Sequence, residues 1–143
     1  MQTIRGLDAL RASLAAYRQA GERVALVPTM GALHAGHMAL VDAAKRVADR
    51  VVVSIFVNPT QFGPNEDLAK YPRKELADAR MLASAGVDVL WMPPVEVMYP
   101  NGPEIDVRGS DIGNELDGAH RPGHFDGVTT VVARLFAQVE PDV

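Results

Sequence analysis

The four histidines of this 143-residue chain fall in two close pairs, His34/His37 and His120/His124. The first pair ends the segment Pro28-Thr29-Met30-Gly31-Ala32-Leu33-His34-Ala35-Gly36-His37, set between a short apolar run and a helix-patterned stretch. In open parallel sheets a strand-to-helix turn of this kind is where ligands bind, and the free N–H groups of the following helix favour phosphate. Gly31 and Gly36 let the backbone approach a ligand closely. The helix dipole disfavours imidazolium here, so both rings are expected to be neutral and to donate one hydrogen bond each to phosphate oxygens. The chemistry indicated is a polyphosphate cradle. A metal site and simple helix capping by the histidines compete with it. The first pair lacks the HExxH spacing, and Pro122-Gly123 keeps the second pair off one regular helix face, so no metal site is expected.

Other chemistry-bearing residues are more scattered. Asn58 and Gln61 follow a strand-like run; their amides offer a donor and an acceptor to a substrate bearing hydroxyls and a carboxylate, although a plain turn is an equal reading. Lys70, Tyr71 and Arg73 are weak signals taken singly, and solvated surface charge accounts for the two cations. Arg121 and His124 put a cation and an imidazole in a Pro-Gly loop just before a helix. Asp88, Asp117 and Asp126 form no acid–base pair; Asp126 reads as the N-cap of the last helix.

These residues need elements to position them. Gly6–Ala20 carries Leu7, Leu10, Leu14 and Tyr17 as one helical stripe, stopped by Gly21. Val24–Val27 reads as a strand buried on both faces. Gly36–Ala48 reads as a helix, with Met38, Leu40, Val41, Ala44 and Val47 supplying its inward faces. The run Val51–Val57 is the clearest strand. Lys74–Ala85 is helical and closed by Gly86, Asp88–Trp91 is a third strand, Ile105–Arg108 a short possible one, and Gly127–Val139 a last helix with Val128, Val131, Val132, Leu135 and Phe136 on its apolar side. Strand, helix, strand, helix, strand with short links indicates an α/β fold around a parallel sheet.

Composition bounds the function. The chain is 48% hydrophobic and 22% charged, the balance of a globular domain, and 14 basic against 18 acidic residues give −4, no field for nucleic acid. Cysteine is absent, which removes disulfides, thiolate metal sites and thiol nucleophiles. No apolar run approaches the roughly 20 residues of a membrane helix, and the first residues lack a signal-peptide pattern. A cytoplasmic protein is expected.

The segment Thr29–His37 resembles the HxGH signature of the nucleotidyltransferase superfamily. Together with Val27–Gly31, Phe56–Gly63, Asp67–Arg73 and Arg121–Val128, in this order, it resembles the pantothenate synthetase family. That resemblance implies a two-step ligation of pantoate and β-alanine through a pantoyl adenylate, using ATP with Mg2+. It implies that Pro28, Thr29, Met30, Gly31, His34, Gly36 and His37 bind ATP, with His34 and His37 catalytic. Met30, Gln61, Asn58, Tyr71, Arg121 and His124 would then serve pantoate and β-alanine, with Val131, Val132 and Leu135 as an apolar wall.

The fold so implied is a Rossmann-like three-layer α/β domain with a parallel sheet in the order 3-2-1-4-5. The sequence stops where the fourth core strand is expected, so residues 1–143 read as an incomplete N-terminal nucleotide-binding domain without its C-terminal domain. The family's lysine and Ser/Arg segments are not among these residues, and little or no turnover is expected from the chain alone. An unpaired edge on the first strand invites dimerisation. Another HxGH nucleotidyltransferase, or a ligand-binding or structural piece without turnover, are the alternatives.

Overall fold

The computed structural model describes residues 1–57, 75–100 and 124–143, with the backbone alone for 124–128. In chain order the described elements are β1 (Gln2–Ile4), α1 (Leu7–Gln19), β2 (Val24–Thr29), α2 (Ala35–Val47), β3 (Arg50–Ile55), α3 (Glu75–Ser84), β4 (Val89–Trp91), the single turn α4 (Val95–Met98) and α5 (His124–Val139). The strands form one parallel sheet in the order β1-β4-β3-β2. Val53 sits at its centre, opposite Val27 on one side and Leu90 on the other.

The three anticipated strands lie side by side as read. β1 was not anticipated: three residues give no periodicity, and Gln2–Ile4 becomes a strand only by pairing with β4. The proposed strand at Ile105–Arg108 lies outside the described residues. The last helix starts at His124 rather than Gly127, which places Asp126 inside the helix and not at its N-cap.

The burial of both sheet faces accounts for the unbroken apolar runs. On one face Val24, Leu26, Val52, Val89 and Trp91 pack with Leu10 and Leu14 of α1 and Val131, Leu135 and Val139 of α5. On the other, Ala25, Val27, Val51, Val53 and Leu90 pack with Val41 and Ala44 of α2 and Leu82 of α3. Each fully buried Val or Leu contributes about 1.5–3 kcal/mol. Gly21 and Gly86, at φ +74° and +83°, end α1 and α3; the N–H groups of Glu22 and Val87 reach back to the carbonyls of Tyr17 and Leu82.

Leu40 and Val47 of α2 are half exposed rather than inward, as is Phe136 of α5. Leu40 and Val47 line an apolar groove beside β2 with Leu26 and Val143. At that outer edge of β2, the Val143 N–H bonds the carbonyl of Val24 and its carbonyl accepts from Leu26, the two bonds of a parallel bridge.

The placement of α5 matters for the site. The indole N–H of Trp91 donates to the Gln138 side-chain oxygen at 3.0 Å, and Arg18 donates to the carbonyls of Val139 and Glu140 at the helix end. Those contacts pin α5 to the sheet and to α1.

Candidate active site

In a parallel sheet every strand delivers its carboxyl end to the same edge, so Thr29, Ile55 and Trp91 finish together. A cleft of about 510 Å³ opens there, lined by Pro28, Thr29, Met30, Gly31, Ala32, His34 and His37 from the β2–α2 turn, by Phe56, and by Val131, Val132 and Leu135 of α5.

The turn is held by its own polar groups. Thr29 Oγ1 donates to the carbonyl of Ser54 at 2.8 Å and accepts the Gly31 N–H at 3.2 Å, tying the end of β2 to β3. Gly31 and Ala32 then both adopt the left-handed region, at φ +88° and +51°. A Cβ on Gly31 would sit 3.2 Å from Ile55 Cγ2, so conformation and space both call for glycine. Beneath the turn lies Asp78 of α3, 3% exposed; its Oδ2 accepts the N–H of Ala32 at 2.8 Å and its Oδ1 that of Leu33 at 2.9 Å.

His34 is the N-cap of α2. Its Nδ1 accepts the Gly36 N–H at 3.1 Å, and its side chain also takes the N–H of His37, while His37 Nδ1 accepts the His34 N–H at 3.1 Å. The pair is a reciprocal cap in which imidazoles take the places usually held by Ser and Glu. Their rings lie 4.1 Å apart at 40°. Gly36 is fixed by the same contact, because a Cβ there would come 2.9 Å from His34 Cε1. With both Nδ1 atoms accepting, each neutral ring carries its proton on Nε2. Burial, then the neighbouring His34 charge, holds the His37 pKa below its ordinary value, partly offset by Asp78. Among the described residues, the N–H of Ala35, in the first turn of α2, is left without a partner within the protein. The histidines therefore do cap the helix, and the cap leaves Nε2 of each ring without a partner among the described residues.

Pro28, Thr29, Met30, Gly31, His34, His37, Val131, Val132 and Leu135 converge on one cleft. Gly36 supports it through the cap. Asn58, Gln61, Tyr71 and Arg121 lie outside the described residues; His124 is the first residue of α5, its side chain not described. Ala32, Phe56 and Asp78 were not among the expected site residues. Ala32 lies within the Thr29–His37 segment, and Phe56, which follows β3, opens the Phe56–Gly63 segment. Asp78 gave one signal, a carboxylate one turn before the buried Leu82. Among the described residues no group of three His, Cys, Asp or Glu side chains gathers as a metal site.

A parallel α/β sheet with a cleft at its carboxyl edge, lined by a histidine-capped helix, defines the class of protein. The sequence profile of pantoate-beta-alanine ligase matches residues 2–143, and the chain belongs to that family. It is 59% identical to the pantothenate synthetase of Sphingopyxis alaskensis over 143 residues and 59% identical to that of Xanthomonas campestris over 145, covering all of this chain and 51% of each relative. The crystal structure of pantothenate synthetase from Thermus thermophilus superimposes with a TM-score of 0.89 at 50% identity, over 99% of this chain and 50% of that one. Pantoate-beta-alanine ligase from Francisella tularensis, complexed with beta-gamma ATP and beta-alanine, gives 0.92 at 40% identity over 99% of this chain and 54% of that one. The chain thus spans about half the length of the relatives it matches.

Proposed function

We propose that this chain supplies the histidine-bearing side of an ATP-dependent ligase that joins pantoate to β-alanine through a pantoyl adenylate. The observation that carries this is the reciprocal cap, which fixes two Nε2–H donors and a free helix N–H beside a cleft with an apolar wall. A pantoate carboxylate oxygen attacks the α-phosphorus of ATP; the bond from that phosphorus to the bridging oxygen breaks and pyrophosphate leaves. The β-alanine amine then attacks the acyl carbon, loses a proton, and AMP departs as the acyl–oxygen bond breaks. Both steps depend on positioning and on donors aimed at phosphate oxygens as their charge grows. His34 and His37 are such donors, with Pro28, Thr29, Met30, Gly31 and Gly36 shaping the turn beneath the nucleotide. Mg2+ would come held by the triphosphate, screening its charge.

Met30, Phe56, Val131, Val132 and Leu135 would take the apolar carbons of pantoate, and on the family pattern Asn58, Gln61, Tyr71, Arg121 and His124 its polar groups and those of β-alanine. The sheet is read as the larger part of a Rossmann-like three-layer domain. Calorimetric titration of the 143-residue chain with ATP and with pantoate tests the proposal. Binding of ATP is expected; a folded chain that takes up neither ligand overturns it in favour of a purely structural piece.

A further inference from the structure

The β2–α2 turn contains a second anion site, and the protein fills it itself. The turn at Gly31 and Ala32 brings successive N–H groups to one point, as the turn amides of nests do when they hold an anion. Here the N–H groups of Ala32 and Leu33 converge on the two oxygens of Asp78, at 2.8 and 2.9 Å. The carboxylate is 3% exposed and, among the described residues, has no cation partner. A buried, unpaired charge is costly, and a helix such as α3 has no need of one on its inward face. What it does is fix the turn: it holds the backbone of Ala32 and Leu33, the two residues before His34, and so sets where the cap begins. It also removes those N–H groups from any ligand, leaving the nucleotide to the Nε2–H groups and the free N–H of α2.

We propose that Asp78 is a positioning residue for the histidine pair, acting through the backbone of Ala32 and Leu33. The inference rests on the ligase reading only for the identity of the ligand. Asparagine keeps the shape but places an NH2 group against one of the two N–H donors, so Asp78→Asn should release the turn. The experiment is imidazole and amide NMR on the full chain, followed by ATP titration. In the unaltered protein, both imidazoles are expected as the Nε2–H form, and the Ala32 and Leu33 amides as slowly exchanging and little shifted by ATP. In Asp78→Asn the imidazole signals should move to mixed tautomers and ATP affinity fall about tenfold, the size of one lost hydrogen bond to a charged group. A folded variant with unchanged imidazole signals overturns the proposal, whether or not ATP binds. Altered imidazole signals in a chain that never binds ATP sustain the positioning role and remove the ligase reading. Should the variant not fold, amide exchange in the unaltered chain decides: Ala32 and Leu33 exchanging as open loop residues, or shifting most of all on ATP addition, overturns it.

Discussion

The two edges of the sheet handle charge in opposite ways. At the amino edge, Asp88 accepts the Val51 N–H with one oxygen and the Arg50 guanidinium with the other, at 2.9 and 3.0 Å, and Arg50 reaches on to Glu22 at 2.9 Å while lying 4.5 Å over the Tyr17 ring. Those partners push the guanidinium pKa further up. Asp49 and Asp142 accept the N–H groups of Arg23 and Val24. These charges meet an opposite charge or a backbone donor, so the edge is closed. At the carboxyl edge, Asp78 is likewise held by N–H groups, but two imidazoles satisfy each other's backbone through Nδ1 and leave Nε2 without a partner among the described residues. The first edge has these charges matched; the second keeps the imidazole Nε2–H groups and the Ala35 N–H to spare.

The largest expected effect follows from those spare donors. Replacing His34 and His37 together by Ala should weaken ATP binding by about 100-fold or more, since hydrogen bonds to charged groups contribute about 1.5–3 kcal/mol each. Arg50→Ala should leave ATP affinity unchanged and lower only the urea midpoint, by an amount that shrinks at high salt because the ion pairs are partly exposed. Calorimetry and urea melts on the two variants check the contrast. A loss of ATP affinity in Arg50→Ala equal to that of the histidine variant would erase the distinction between the edges.

Gly21 and Gly31 sharpen the comparison, one leading into β2 at the amino edge and the other leaving it at the carboxyl edge. Both have positive φ, at +74° and +88°, so alanine at either meets a left-handed penalty of about 1–2 kcal/mol. Around Gly21 a Cβ finds nothing within 4 Å, whereas at Gly31 it meets Ile55 Cγ2 at 3.2 Å and Asp78 Oδ2 at 3.4 Å. Gly31→Ala should therefore cost more stability than Gly21→Ala by about 1 kcal/mol, the low end of overpacking, and should weaken ATP binding. Equal urea midpoints for the two variants would show that the carboxyl edge yields more easily than its contacts imply.

How much of this was legible in the sequence follows the range of the interactions. Leu10 and Leu14 revealed α1 because helical periodicity is local, and Val51–Val53 revealed β3 because β-branched residues crowd a strand. Thr29–His37 exposed the cleft because glycines and histidines at a strand-to-helix turn have few other uses. β1 was invisible, for three residues acquire strand geometry only from a partner far along the chain, as in the Gln2–Val89 register. Leu40 and Val47 misled because apolarity shows that a side chain seeks cover, not which side of the helix the sheet occupies. Asp78 was missed for the same reason. Its partners are 45 and 46 residues distant, and no local pattern joins a helix carboxylate to a loop backbone.

The smallest effect tests whether the histidine cap is a pH-dependent part of an otherwise closed scaffold. Burial and the His34 charge lower the His37 pKa, so the folded chain resists a proton that the unfolded chain accepts. Well above its ordinary value of about 6.5, His37 is neutral in both states and contributes no pH dependence. As pH falls below that value the unfolded state binds the proton first, stability declines, and the decline ends once pH has passed through the folded value. The protonated ring also carries a hydrogen on Nδ1, which then faces the His34 N–H instead of accepting it. His37→Gln separates the cause, because glutamine at the third position of a helix can accept the same N–H without titrating. Urea midpoints measured from about pH 7.5 to about pH 5, a range that brackets the ordinary imidazole value, should fall more steeply for the unaltered chain than for His37→Gln, while the slopes of Arg50→Ala and the unaltered chain run parallel. Parallel slopes for His37→Gln and the unaltered chain would place the acid sensitivity elsewhere and make the carboxyl edge as inert to pH as the amino one.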